Sequence, residues 1–282
     1  MGGKKNKLLS IDAIGAGSGP ALFVFLAVAI LSLPAADARG ISAAPLERPR
    51  ERALGLDQTG SVILGGAPAG GTGTTWRVEA GEWFLYGIDG LRTHAAAAEI
   101  GGPSWELRVS AAFVAAPVGS ESAVEGGLCA PLGRVRLGAS LRWDTARLDG
   151  CEKAHLVTLS VSAMLRVSER IAISTRAANI RLAGEPLPGA GASVGVLLSP
   201  ESALCALARL ELSPAGATSF RVASRVRLGR RVLLSLGYEE GTGSFDGSVW
   251  IRIGCVGLDA GSSIHPVLGV SQGVFLSWGR GW

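Results

Sequence analysis

The feature that most constrains this chain is a period-two alternation of apolar and polar residues, repeated in segment after segment from Ser104 to near the C-terminus. In Trp105–Ala115, one face carries Trp105, Leu107, Val109, Ala111 and Phe113, and the other carries Glu106, Arg108, Ser110 and Ala112. In Val135–Asp144, Val135, Leu137, Ala139, Leu141 and Trp143 oppose Arg136, Gly138, Ser140, Arg142 and Asp144. Val157, Leu159, Val161, Ala163 and Leu165 oppose Thr158, Ser160, Ser162, Met164 and Arg166. The pattern continues with Phe220, Val222, Val226 and Leu228 against Arg221, Arg225 and Arg227. It recurs with Val232, Leu234, Leu236 and Tyr238 against Ser235, Gly237 and Glu239, and ends with Val274, Leu276 and Trp278 against Gly273, Phe275 and Ser277. Successive side chains of a strand point to opposite faces, so each segment is a strand with one apolar and one polar side.

Segment length separates a membrane barrel from a soluble sandwich. The segments run to about ten residues, the length that crosses a bilayer at a tilt, whereas soluble strands average about five to six. Connections alternate in length. Short ones fall near Gly133-Arg134, Ser168–Arg170, Ser199–Ser202, Gly229–Arg231 and Gly254. Longer ones are expected over Pro117–Ser122, Arg147–Ala154, Ala183–Gly189, Ser213–Ala217, Glu240–Asp246 and Ile264–Val270. In lipid no water satisfies backbone N–H and C=O groups, so a spanning sheet has to close on itself. The expectation is an all-β fold, a single antiparallel transmembrane barrel. It has about twelve strands after Ser104, and about fourteen if Ser61–Gly66 and Thr75–Gly87 join them. An even count places both termini at one end. Trp105, Trp143, Tyr238 and Trp278 sit near strand ends on the apolar face, as interfacial aromatics do.

The chain begins with an address. Lys4, Lys5 and Lys7 precede an apolar core, Ala21–Pro34, and Ala36-Asp37-Ala38 is a small-x-small cleavage site. This reads as a cleaved secretory signal over residues 1–38. Residues 39–103 form an N-terminal segment and residues 104–282 the barrel. Within the former, Gly40–Arg52 is polar, Gly65–Thr75 is a low-complexity turn or linker, and Leu91–Ile100, with its alanine run, reads as a short helix able to lie in the lumen as a plug. Beyond the leader no stretch reaches the roughly 18 apolar residues of a spanning helix. Charged residues make up only 18% of the chain, and the net charge of +4 is not gathered into a basic stripe, so nucleic acid is not an expected partner.

Residues that could carry chemistry are few. Cys129, Cys151, Cys205 and Cys255 form no CxxC, and the topology puts Cys151 and Cys255 at opposite ends, so neither a zinc site nor that pairing is expected. Cys129 and Cys205 face the lumen on non-neighbouring strands. His94, His155 and His265 do not form the constellation a hydrolase needs, and His265 reads as a residue shaping its His-Pro turn. Gly189–Gly195 lacks the GxGxxG spacing and reads as a loop entering a strand. No enzyme, metal or cofactor is expected. The constellation that stands out is the charged inner face. Arg108, Arg136, Arg142, Arg166, Arg209, Arg221, Arg225, Arg227 and Arg252 point inward, where Glu106, Asp144, Glu211, Glu239 and Asp259 can pair with them. Two readings stand side by side: an anion-selective pore, since arginine rings tune selectivity, or an ion-pair network that fills a narrow lumen.

The stretch Gly254–Trp278 is the most recognisable part of the chain. Leu258-Asp259, then His265-Pro266-Val267-Leu268-Gly269, then Val274-x-Leu276-Ser277-Trp278, resembles the C-terminus of PorV-like barrels, which belong to the wider group that includes the FadL-type transporters of hydrophobic compounds. Asn179-Ile180-Arg181 followed by Gly184-Glu185-Pro186-Leu187-Pro188 resembles a strand-loop unit of the same family. The family's asparagine-proline-alanine-glycine segment is absent from the N-terminal third. The resemblance implies insertion by the barrel assembly machinery, with Val274, Leu276 and Trp278 as the assembly signal, and passive transport of a small hydrophobic compound across a bacterial outer membrane. The alternative it implies is a membrane anchor or scaffold for partner proteins. Outer-membrane lipid, the assembly machinery and a small hydrophobic or anionic ligand are the expected partners.

Overall fold

The computed structural model describes residues 74–102, 104–116, 119–148, 150–184, 191–198, 203–212, 218–229 and 231–280. The leader, Gly40–Arg52 and Ser61–Gly66 lie outside the described residues.

Among the described residues, fourteen antiparallel strands close into one barrel, each bonded to its neighbours in sequence and β1 bonded to β14. They are β1 (Thr75–Phe84), β2 (Arg92–Gly102), β3 (Trp105–Ala116), β4 (Gly119–Leu132), β5 (Val135–Leu148), β6 (Ala154–Arg166) and β7 (Ile171–Gly184). The second half comprises β8 (Gly191–Leu198), β9 (Leu204–Leu212), β10 (Thr218–Leu228), β11 (Val232–Glu239), β12 (Ser244–Ile253), β13 (Val256–His265) and β14 (Gly269–Arg280). Trp76 pairs with Arg280, so both ends of the wall emerge on one side, here the terminal end; the opposite side is the loop end.

Two expectations are corrected. Leu91–Ile100 is not a helix: β2 runs through it, with Ala95 opposite Gly81 and Ala112, and Ala97 opposite Glu79 and Ser110. Alanine's high helix propensity yields because β1 and β3 each need a partner along that edge, and an open edge in lipid leaves a row of unpaired backbone groups. Some of the longer connections are also shorter than expected. β4 starts at Gly119, leaving only 117–118 between it and β3, and β13 and β14 are separated by 266–268. Small polar residues such as Ser120 and Ser122 look like loop in sequence but remain paired, with Ser122 opposite Phe113 and Thr145.

Outward faces are apolar along their middles. Leu141 is 50% exposed, and Val109, Val124, Leu236, Val249 and Leu276 are similarly open. Aromatic side chains band this face at both ends. At the terminal end Trp76 meets Trp278 edge to face with centroids 4.9 Å apart, and Trp105 is exposed nearby in sequence order at the start of β3. Toward the loop end Trp143 stacks with His155 and Tyr238 lies 4.6 Å from Phe245. Arg92 sits 5.0 Å over the Phe84 ring. Aromatic girdles flanking an apolar band are the signature of a lipid-embedded barrel. Polar residues on this face include Glu82, with His94 Nδ1 3.5 Å away, and the hydrogen-bonded Ser122 and Thr145, all toward the loop end, where headgroups can solvate them.

Closure depends on a reciprocal fit at the seam between β14 and β1. Trp83 faces Gly273, and Phe275 faces Gly81. A Cβ on Gly273 would collide with the Trp83 indole, and one on Gly81 with the Phe275 ring and the Val274 carbonyl. Each glycine is thus the seat of the aromatic opposite, and both rings are almost wholly buried.

Candidate functional site: the lumen

The inward side of the wall is shielded and polar, and its charges are sorted into clusters. In the terminal half of β1–β3, Arg77 bonds Glu99 and lies 3.9 Å from Glu79; Arg108 contacts Glu79 at 3.5 Å and Glu99 at 3.2 Å. Alternation places all four on the inner face, since Arg77 is opposite Glu99 and Glu99 is opposite Arg108. Glu106 stands beside this group on β3, opposite Cys129.

A second cluster occupies the loop half of β9–β12. Arg209 and Arg221 are directly opposite each other, a like-charge pairing that would destabilise the sheet on its own. Carboxylates resolve it. Arg221 donates to Glu239 Oε2 at 3.1 Å and to Asp246 Oδ2 at 2.7 Å, while Arg209 donates to Glu211 at 3.5 Å. Arg221 is 8% exposed, so these are shielded charge-assisted bonds rather than surface pairs. A third group lies on β5, where the Arg142 Nε donates to both Asp144 oxygens at 2.8 and 3.0 Å, with Glu125 directly opposite Arg142 on β4.

The remaining sequence-derived site residues fall elsewhere on the wall. Arg225 is buried opposite Cys205 and Ser235. Asp259 is buried opposite Trp250 and Phe275. Arg136, Arg166, Arg227 and Arg252 lie in inward register at the terminal end, within the outermost two residues of their strands. Arg252 there donates from Nε to the Gly254 carbonyl at 3.0 Å. Val274, Leu276 and Trp278 face outward along β14. All four cysteines are free; Cys129 and Cys205 are buried, Cys151 and Cys255 exposed. His265 Nδ1 accepts from the Val267 and Leu268 amides at 3.2 and 3.1 Å, which fixes the turn.

Sequence reasoning missed Arg77, Glu79, Glu99 and Asp246. The first two were legible: Arg77, Glu79, Gly81 and Trp83 alternate with Trp76, Val78 and Ala80. Glu99 was hidden by the helix reading and Asp246 by its assignment to a loop.

Between the charged groups the lumen is lined by hydroxyls and by two apolar patches. Ser140, Thr158, Ser160, Ser162, Ser235 and Ser248 are buried inward-facing hydroxyls. One apolar patch, Met164, Ala172, Leu197, Leu207 and Ala223, occupies β6–β10 toward the terminal half. The other joins Trp83, Leu85 and Phe275 at the seam, with Ala95, Ala112 and Ala123 beside it, toward the loop half. One patch lies in the terminal half and the other in the loop half, each bordered by charged side chains: Met164 is opposite Arg136, Ala123 opposite Asp144 and Phe275 opposite Asp259.

No protein-family model and no curated protein matches the sequence. Solved structures do match. The toluene transporter TbuX of Ralstonia pickettii superposes with a TM-score of 0.55 at 11% identity, over 83% of this chain and 97% of that one. The CymD monoaromatic hydrocarbon channel gives 0.55 at 9% identity, over 82% and 96%. The outer membrane protein Omp33 of Acinetobacter baumannii gives 0.52 at 8% identity, over 74% and 99%. At these identities the likeness is one of architecture, and with the closed wall, apolar band and aromatic girdles it gives this chain the fold of an outer-membrane β-barrel.

Proposed function

We propose that the protein is a passive outer-membrane channel for a small hydrophobic compound. The observation that carries this reading is the pair of apolar patches inside an otherwise charged wall. A barrel built only to be filled by ion pairs has no need to turn Leu197, Leu207 and Met164 inward at one depth and Trp83 and Phe275 at another. Together they place apolar side chains on the inner face in both the loop half and the terminal half of the barrel. That two architecturally similar proteins carry toluene or monoaromatic hydrocarbons, and that the C-terminal sequence resembles FadL-type transporters, supports the same substrate class. The terminal end then faces the periplasm, as is usual for barrel termini, and β14 presents Val274, Leu276 and Trp278 to the assembly machinery. The short connections at both ends give a scaffold little surface to present, so the anchor reading is not favoured.

The test is uptake of a labelled monoaromatic hydrocarbon by cells whose outer membrane holds this protein as its main channel. Uptake faster than in cells lacking it, and slowed by Leu207→Arg in a barrel that still folds, is the expected result. Equal uptake with and without the protein would defeat the reading.

A further inference from the structure

The two mouths of the barrel differ in charge. Among the described residues, the terminal-end turns and the outermost two residues of each strand there hold eight arginines against two glutamates, Glu106 and Glu169. The same zone at the loop end holds five carboxylates against three cations. The chain's net charge is only +4, so the imbalance is one of placement rather than of composition.

Backbone geometry sharpens it. The Arg166 amide donates to the Arg134 carbonyl at 3.0 Å, and the Arg252 amide to the Arg231 carbonyl at 2.8 Å. Two arginine pairs are thereby held as neighbours on adjoining strands at the rim. In the loop half, the one directly opposed arginine pair, Arg209 and Arg221, is met by Glu211, Glu239 and Asp246. The terminal rim brings its arginines together with far fewer carboxylates. Arg136, Arg166, Arg227 and Arg252 are in inward register and direct their charge at the lumen opening, whereas Arg280, opposite Trp76, is in outward register.

We propose that the terminal mouth is an anion-accepting vestibule, and that the barrel therefore conducts small anions in preference to cations and passes current unequally in its two directions. Fixed charge of one sign at a narrow opening concentrates the opposite ion, and rings of arginine select anions. Opposite excesses at the two mouths make the ionic content of the lumen depend on the direction of the field: one polarity draws ions in from both ends and the other depletes them. This inference rests on the reading of the barrel as an open path, and adds an ionic activity to it.

The experiment pairs two measurements on the folded full-length protein. Proteoliposome swelling with a small neutral solute reports whether the path is open. Single-channel recording in planar bilayers under a KCl gradient reports selectivity and the symmetry of the current. The expected result is swelling, a reversal potential on the chloride side, and currents at opposite voltages differing by about twofold at 0.1 M salt. The asymmetry should fade at 1 M, where the screening length falls from about 10 Å to about 3 Å. Arg134→Glu with Arg231→Glu, both in turns, should abolish or invert the asymmetry while neutral-solute swelling persists. Swelling with symmetric or cation-selective currents would overturn the vestibule and leave the channel reading intact. Asymmetry unmoved by the double variant would overturn its assignment to the terminal mouth. Protein that neither swells vesicles nor conducts would overturn both readings.

Discussion

The outer and inner faces of the same wall obey different rules, although they are built from alternate residues of the same strands. On the outside almost any large apolar residue serves, because lipid is a featureless solvent and every position in the band makes the same demand. Leu, Val, Ile and Phe follow one another there without a preferred partner. On the inside identity matters pair by pair: Arg77 needs Glu99, Arg221 needs Glu239 and Asp246, and Gly273 needs Trp83. The outer face is specified by composition and the inner face by contacts between residues far apart in sequence.

The largest effect that would sharpen this contrast is expected from Arg221→Leu. It strands Glu239 and Asp246 in a shielded site, and removal of one partner from a buried ion group costs about 3–5 kcal/mol. That figure is an upper bound to the extent that water enters the lumen. Urea unfolding in lipid vesicles measures it, and a loss below about 1 kcal/mol would show that the cluster behaves as a solvated surface pair. Leu141→Arg comes next. It puts a charge at the middle of the lipid face, at a cost of about 2–4 kcal/mol, and should reduce the heat-resistant folded band on an unboiled gel. Assembly equal to wild type would reverse the facing of β5. The smallest of the three is Gly273→Ala. It drives a methyl into the Trp83 indole, an overpacking typically worth about 1–3 kcal/mol. Trp83→Leu in the same chain should recover part of the loss, because the group that collides is gone. If the double variant were less stable than the sum of the two single variants, the seam would not be the reciprocal fit described above.

The twelve strands after Ser104, their facing and the closure were legible because the side-chain period of a strand is two, and lipid favours apolar residues on one face of each. Trp105, Leu141 and Val274 could be placed outward from their neighbours alone. The legible part weakens where the outward residue is small. The alanines of β2 alternate between faces with no change of residue type, so nothing local distinguishes that strand from a helix, and only the need of β1 and β3 for a partner decides it. Asp246 was lost for a related reason: Gly241, Gly243 and Ser244 resemble a loop, yet pairing with β11 resumes at Ser244 and with β13 at Phe245.

The sequence by itself determined that this chain forms a closed antiparallel wall with an apolar outside and a charged inside, since alternation over strands long enough to cross a bilayer admits no other solution in lipid. Which charges meet was decided only by tertiary structure. Register is a property of two strands, and the partners of Arg221 lie on β11 and β12, not within its own segment. The same holds for the assembly of the two apolar patches and for the gathering of arginines at one mouth. Arg134, Arg170 and Arg231 sit in separate turns and Arg136, Arg166, Arg227 and Arg252 at separate strand ends, and they gather at one mouth only when the barrel closes and brings every second turn to the same end.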